Sequence, residues 1–159
     1  MKKQSSKTAL GIIAKNRRAY YEYFIEKEIE AGLVLYGWEM KSIRAGKINI
    51  SDSYILIYNQ EAYLLGSIFQ PLINVSNNIT CDPTRNRKLL LNKSEINYLN
   101  NRNKQKNYTT IALVMYWKRS WCKLKIGLSR GKKQYDKRDQ HREREWKIHK
   151  ERILKILKP

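Results

Sequence analysis

The stretch Trp121-Cys-Lys-Leu-Lys-Ile-Gly-Leu-Ser129 alternates Cys122, Leu124 and Ile126 with Trp121, Lys123 and Lys125. That period of two puts one side of an extended chain into a core and the other into solvent. One face of this strand is apolar and the other basic. Upstream, Tyr108 to Trp117 is a second β-rich run, separated from the first only by Lys118-Arg119-Ser120, so the two read as an antiparallel pair. Downstream the alternation stops within Gly127 to Arg138, Gly-Leu-Ser-Arg-Gly-Lys-Lys-Gln-Tyr-Asp-Lys-Arg. From Arg130 to Lys158 twelve Lys or Arg face five Asp or Glu, with Leu154, Leu157, a few Ile, Tyr135 and Trp146 as the apolar material. That is too little area to repay the entropy of ordering such a length. Residues 131–159 are therefore expected to form a basic tail, disordered when free and helical on a partner.

Working back toward the start, Tyr54 to Tyr58 and Ala62 to Ser67 flank Asn59-Gln60-Glu61 with hairpin spacing. Tyr20 to Leu35, rich in Tyr, Phe, Ile, Val and Leu, predicts a hairpin or a bent strand broken near Gly32. Trp38 to Arg44 predicts a brief helix stopped by Gly46, and Asn92 with Glu95 three residues on predicts a capped helix to about Arg102 that buries Ile96 and Leu99. Pro71 to Pro83 reads as a polar loop, and ordered structure begins at Leu10 to Ile13. The sum is a mainly β chain of about six strands with short peripheral helices. Its natural arrangement is a closed or partly closed antiparallel barrel of the OB (oligonucleotide-binding) type, with a sandwich as the alternative. Residues 1–8 would be a mobile basic arm and 9–130 the barrel domain.

Of 159 residues, 33 are Lys or Arg and 14 Asp or Glu, a formal net charge of +19. The natural partner of such a chain is a polyanion, because neutralised phosphates release counterions and drive association. No apolar run of about 18 residues and no signal peptide is visible, which points to the cytoplasm and away from membranes. Cys81 and Cys122 lack metal-ligand spacing to each other or to His141 and His149, so reduced thiols are expected, with no metal, disulfide or cofactor.

Trp121, Lys123, Lys125, Arg130, Lys132 and Lys133 form the first candidate RNA site, cations tracking a phosphate backbone beside an aromatic that can stack a base; the plain alternative is a solvated strand face. Cys81-Asp-Pro-Thr-Arg-Asn-Arg-Lys88 is either a phosphate clamp built on Arg85, Arg87 and Lys88 or an ordinary surface loop. Glu39, Lys41, Asp52 and His141 match no nucleophile, phosphate-loop or metal motif, so catalysis is not expected. In the tail, Glu143 to Lys147 and Glu151 to Lys155 are helix-favouring pairs, and Trp146, His149, Ile153 and Ile156 share a thin stripe; the alternative to partner-induced folding is a helix docked on the barrel.

The motifs in order are Asn16-Arg17-Arg18, Tyr23-Phe24-Ile25-Glu26, Glu30-Ala31-Gly32, Gly37 to Ser42 (Gly-Trp-Glu-Met-Lys-Ser), Ile50 to Tyr54, Cys81 to Arg85, Arg87 to Leu91, Gly131-Lys132-Lys133 and Asp136-Lys137-Arg138. This set, from about Ala9 to the end, strongly resembles the SsrA-binding protein family, also called small protein B. The resemblance implies an OB-type barrel that binds the tRNA-like domain of transfer-messenger RNA and brings it to stalled bacterial ribosomes for trans-translation. It implies a non-catalytic adaptor, monomeric when free and without cofactor. By position it assigns the shaping of the RNA face to Asn16, Glu30, Leu90 and Lys123. It assigns Asp136, Lys137 and Arg138 to the decoding centre, where the tail enters the empty messenger channel of the small subunit and Tyr135 and Trp146 are placed to stack on bases of ribosomal RNA. The competing classes are an RNA-processing enzyme on an OB-type barrel, which would cleave RNA, and a structural ribosomal protein, which would copurify with every ribosome.

Overall fold

The computed structural model describes residues 11–73 and 80–156, without side-chain detail for residues 135 and 153–156. The expected arm, 1–8, lies outside the described residues. In chain order the elements are β1 (Gly11–Lys15), α1 (Arg17–Glu22), β2 (Tyr23–Leu33), α2 (Gly37–Arg44), β3 (Ile48–Asn49), β4 (Tyr54–Tyr58) and β5 (Glu61–Leu65), followed by β6 (Ile68–Phe69), β7 (Arg87–Leu90), α3 (Lys93–Asn103), β8 (Tyr108–Lys118), β9 (Trp121–Gly131) and α4 (Gln134–Ile156). Seven strands form one antiparallel sheet in the order β1-β8-β4-β5-β7-β2-β9, and β3 pairs with β6 separately. β8 and β9 also pair from Tyr108↔Arg130 to Lys118↔Trp121, so the hydrogen-bonded path that leaves β8 through β4 returns to it through β9.

The alternation in β9 is realised: Cys122, Leu124, Ile126 and Leu128 are buried with Ala31, Leu64, Ala112 and Met115 in the main core. Ile111 and Leu113, alternating with the core residue Ala112, face the other side of β8, and the register shift between Ala112 and Val114 returns Met115 to the main core. Ile111 and Leu113 lie under Ala19 of α1, with Ile25 and Tyr23 alongside. Gly127 faces this second cluster, where a Cβ would lie 2.8 Å from Leu113 Cδ1 and 3.2 Å from Ile25 Cγ2, so a side chain there would have to displace these two.

Tyr20 to Leu35 departs from expectation. Tyr20, Tyr21 and Glu22 are helical because the buried Asn16 side chain accepts a hydrogen bond from Ala19 N (2.9 Å) and starts α1 ahead of them. The cap outweighs the β propensity of the tyrosines. From Tyr23 onward there is one strand, irregular between Ile25 and Lys27, and Gly32 lies within it. The Tyr54 hairpin turns on two residues, Asn59 (φ 48°) and Gln60 (φ 58°), both left-handed as a type I′ turn requires, and Glu61 is already paired with Tyr58. α2 ends before Gly46 at φ 68°, and the Asn92 N–H donates to Glu95 Oε2 (2.9 Å) ahead of the buried Ile96 and Leu99, both as expected.

The basic loop at Asp82 to Lys88 is not a phosphate clamp. Arg85 and Arg87 both turn inward onto Glu39 of α2, whose side chain is fully buried. Arg87 Nε donates to Glu39 Oε1 at 2.8 Å, and Arg85 donates to both carboxylate oxygens at 2.9 and 2.6 Å. The remaining Arg87 donors reach the Ser67 hydroxyl and the carbonyls of Ser67, Arg85 and Pro83, while its guanidinium lies 3.8 Å from the Phe69 ring centroid. Burial pulls the Arg87 pKa down and Glu39 pushes it back up, and an arginine stays charged regardless. Two cations that a sequence presents as surface charge are thus consumed by the fold. Glu39→Gln, which leaves two guanidiniums without their anion, is expected to lower stability by about 3 kcal/mol in urea unfolding at unchanged m, whereas Glu61→Gln, at a solvent-screened pair with Lys88, is expected to cost far less.

Candidate nucleic-acid interface

β2 sits between β7 and β9, and its register decides which side chains meet outside the core. Gly32 is opposite Leu90 on one side and Lys123 on the other. Glu30, two residues back, shares that outward face because Ile29 and Ala31 point into the core. Glu30, Leu90 and Lys123, far apart in sequence, therefore line one open cleft of about 500 Å³ with Gly32, Glu61 and Lys88. A Cβ on residue 32 would sit 3.3 Å from Leu90 Cβ, so the glycine forms the floor that lets the two walls approach.

Glu30 is held firmly. The Tyr116 hydroxyl donates to its Oε2 at 2.5 Å and the Lys118 ammonium to both oxygens at 2.9 and 3.0 Å. The Tyr116 hydrogen bond first, then that of Lys118, hold this carboxylate below its ordinary pKa, and the charge of Lys123 adds to the effect. Burial first, then the same hydrogen bond, push the Tyr116 phenol up, so it remains a donor. Lys123 itself has no acidic partner within ion-pair distance among the described residues, in contrast to Lys125, which reaches Glu28 at 3.1 Å. The cleft thus offers a fixed anionic acceptor, an exposed leucine and an uncommitted cation, a combination that recognises sugar hydroxyls or base amino groups beside a phosphate.

The remaining site residues do not gather there. Trp121, 72 % exposed, stands at the near end of β9. Arg130, Lys132 and Lys133 lie at the far end, on the order of 30 Å along the strand. Lys132 is half-buried, and its ammonium donates to the Tyr20 carbonyl (3.1 Å) and to Gln140 Oε1 (2.9 Å), tying α1 to α4. Burial lowers its pKa. Asn16 is buried as well, its amide nitrogen donating to Ala112 O (2.9 Å), so it acts on any surface only by positioning α1. Glu39, Lys41, Asp52 and His141 do not converge: Glu39 is in the core network, Asp52 pairs with Arg18 and His141 with Glu145.

α4 begins with Asp136 in its first turn, the carboxylate accepting from Lys133 N at 3.2 Å. Asp136 and Lys137 are half-buried, Arg138 exposed, and every side chain from Arg138 to Arg152 is exposed, Trp146 at 69 %. The helix is not docked on the sheet along its length. Its ion pairs are His141 with Glu145 and Arg142 with Asp139; the Glu143–Lys147 pair is not among them. The Lys155, Ile153 and Ile156 side chains, and that of Tyr135, lie outside the described residues.

A family model described as SmpB protein matches residues 13–156. The chain belongs to the SmpB family. A solved structure described as "tmRNA-SmpB: a journey to the center of the bacterial ribosome" is similar at 39 % identity over 76 % of this chain and 85 % of that one, with a TM-score of 0.63. Membership accounts for the motif order, and the geometry adds roles that sequence reading did not assign: Gly32 lines the cleft, and Tyr116 and Lys118 fix the Glu30 carboxylate beside it. Gly32 was within reach, since a glycine inside an apolar strand signals close approach. Tyr116 and Lys118 carry no such signal, because their meeting with Glu30 depends on strand register. Cys122 is buried, and burial pushes its thiol up to about 12.

The depressed Glu30 pKa has a pH consequence. The network's contribution is present above the unfolded carboxylate value and is lost as pH falls through the lower folded value. Carbon-detected NMR titration of the Glu30 carboxyl is expected to give a midpoint below the ordinary range, rising in Tyr116→Phe; an unshifted midpoint in both would exclude the hydrogen-bonded arrangement.

Proposed function

We propose that the protein is an RNA-binding adaptor that links transfer-messenger RNA to stalled ribosomes in trans-translation and performs no catalysis itself. The observation that carries this reading is the convergence of Glu30, Leu90 and Lys123 around Gly32 in a chain of the SmpB family. In this reading the sheet acts as a closed OB-type barrel, and the tRNA-like domain docks on its Gly32 cleft. Glu30 supplies specificity and geometry, Lys123 the salt-dependent share of affinity, and Trp121 extends the face with a stacking surface. Lys125, Arg130 and Lys133 contribute to the field that steers RNA; Asn16 and Lys132 act from within, by placing α1 and the root of α4.

The tail is the second working part. Residues 131–159 enter the decoding centre and the messenger channel when it is empty, Asp136, Lys137 and Arg138 meeting ribosomal RNA first and Tyr135 and Trp146 stacking further along. Away from the ribosome the helix is weakly held, since its exposed side chains bury almost nothing against the sheet; a channel of phosphates neutralises its charge and stabilises it. Intact messenger would exclude it sterically. No helix among the described residues is long and apolar enough to cross a membrane, and a cytoplasmic monomer suits the role.

Three variants separate the parts. Lys123→Ala with Glu30→Ala is expected to weaken transfer-messenger RNA binding roughly tenfold and to flatten its salt dependence by about one unit of slope; unchanged affinity would displace the RNA face. Asp136, Lys137 and Arg138 together changed to Ala retain that affinity and lose peptide tagging, and normal tagging would remove the motif from the decoding centre. Truncation after Gln134 is expected to behave in the same way, whereas loss of binding as well would make the tail part of the docking domain.

A further inference from the structure

Glu30 shares the Gly32 cleft with a second anchored carboxylate, Glu61. Glu61 and Tyr63 lie on the outward face of β5, because Ala62 and Leu64 are buried. The Tyr63 hydroxyl donates to Glu61 Oε2 and the Lys88 ammonium to Glu61 Oε1, each at 2.5 Å. These hydrogen bonds, that of Lys88 first, hold the carboxylate below its ordinary pKa. A tyrosine and a lysine thus fix Glu61 as Tyr116 and Lys118 fix Glu30.

The two carboxylates differ in what they have left to offer. Each carboxylate oxygen accepts about two hydrogen bonds through its two lone pairs. Glu30 Oε2 receives both Tyr116 and Lys118 and is filled, so Oε1, which receives Lys118 alone, keeps the one remaining site. Glu61 receives a single donor on each oxygen among the described residues and keeps one site on each. Its side chain is 41 % exposed, which leaves those sites open to a ligand in the cleft. Glu30 therefore suits one donor, and Glu61 suits two parallel donors.

Register decides what lies beside Glu61. The pairing of Tyr63 with Lys88 and of Ala62 with Leu89 brings Glu61 next to Leu90, Leu90 is opposite Gly32, and Gly32 is opposite Lys123. A row across four strands thus presents a two-site acceptor, a leucine 55 % exposed, a position without a side chain and a cation with no acidic partner within ion-pair distance among the described residues. From Glu61 to Lys123 the row spans roughly 14 Å of backbone, three interstrand steps.

We propose that Glu61 reads an unpaired guanine of the docked RNA, its two oxygens accepting from N1–H and the N2 amino group, with the ring over Leu90 and the phosphate toward Lys123. Guanine alone among the four RNA bases presents two adjacent donors on its Watson–Crick edge. Adenine and cytosine set a ring-nitrogen acceptor beside the amino group, and uracil flanks its one N–H with carbonyls, so each turns a lone pair toward a carboxylate oxygen. The guanine has to be unpaired, because in a duplex the same edge is engaged by cytosine. An arginine side chain carries a similar fork of donors, but a chain of net charge +19 repels a cation and attracts a nucleotide. The inference rests on the Gly32 cleft being the RNA-docking face, and adds which base it selects and which residue selects it.

The test titrates the full chain with three fluorescent ten-nucleotide single-stranded RNAs, uridine throughout except for one central guanosine, inosine or adenosine. Inosine keeps N1–H and lacks the amino group. The wild type is expected to bind the guanosine probe about tenfold more tightly than the adenosine probe, with inosine between them. Glu61→Gln, which keeps one acceptor and turns the other into a donor, is expected to bring the three probes within about twofold of one another without weakening the adenosine probe. A purely structural role, in which Glu61 only holds Lys88, would instead weaken all three probes together and overturns the proposal. On the tRNA-like domain of transfer-messenger RNA, the bound wild type is expected to protect an unpaired guanine from kethoxal, which attacks N1 and N2, and Glu61→Gln to leave it reactive. A guanosine preference that survives in Glu61→Gln overturns the proposal, as does its absence from the wild type. GMP that displaces the guanosine probe at the probe's own concentration also overturns it, by making the site a free-nucleotide pocket. Lys123→Ala is expected to weaken all three probes alike. Undiminished binding in that variant counts against the docking face itself, whereas weakening there beside an unaltered base preference in Glu61→Gln counts against Glu61 alone.

Discussion

A carboxylate with no exposed surface, Glu39, lies between two guanidiniums, and much of the functional geometry depends on that arrangement. Burying three charges is expensive unless every donor and lone pair is matched. Here the matching is extensive: the Tyr36 N–H completes the Glu39 shell, Arg87 spends its donors on main-chain carbonyls and Ser67, and each guanidinium lies over a ring, Arg85 over Tyr36 and Arg87 over Phe69. The network joins α2, the 82–86 segment, Ser67 beside β6 and the first residue of β7. It thereby sets where β7 lies against β2, and so where Leu90 stands relative to Gly32.

From that point the outer surface follows by register. β2 offers its odd residues, Ile29 and Ala31, to the core and its even ones, Glu30 and Gly32, to solvent, with partners on both sides. The rigidity of Glu30 comes from strand β8, through Tyr116 and Lys118. A carboxylate tied down this way has little side-chain freedom left to lose, while the neighbouring Lys123 has no acidic partner within ion-pair distance among the described residues. The basic character of the chain is spread unevenly: some cations hold the fold, some are neutralised on the sheet, and the remainder is concentrated in Lys123, around α1 and along α4.

α4 is a helix with a well-defined root and little else to hold it. Asp136 accepts from the Lys133 main-chain N–H just ahead of the helix, and Lys132 ties its second turn, at Gln140, to α1. Beyond it the side chains are solvated. An element of this kind leaves the sheet from a hydrogen-bonded root and carries its side chains from Arg138 to Arg152 exposed.

Much of this was legible in the residues themselves. Period-two alternation located β9, β-rich composition located β8, the spacing of two apolar runs located the β4–β5 hairpin, the Asn92–Glu95 spacing started α3 and Gly46 ended α2; each depends on interactions within a few residues, which a sequence states directly. The charge of the chain and the poverty of apolar residues after Gly131 were equally plain, because composition is additive. What only the tertiary structure decided was the partner of each charge. Arg85 and Arg87, open between a phosphate clamp and an ordinary surface loop, both turn onto the buried Glu39, Arg87 being itself fully buried; Lys132 looked like a surface cation and is a tether, and Tyr20 to Glu22 looked extended but turn helical on a cap from Asn16. Glu30, Leu90 and Lys123 meet only because two strands from distant parts of the chain flank Gly32. Local propensity fixes the period of a segment, but strand register and burial are settled between segments, and a charged side chain reveals its role only when its neighbours across the fold are in place.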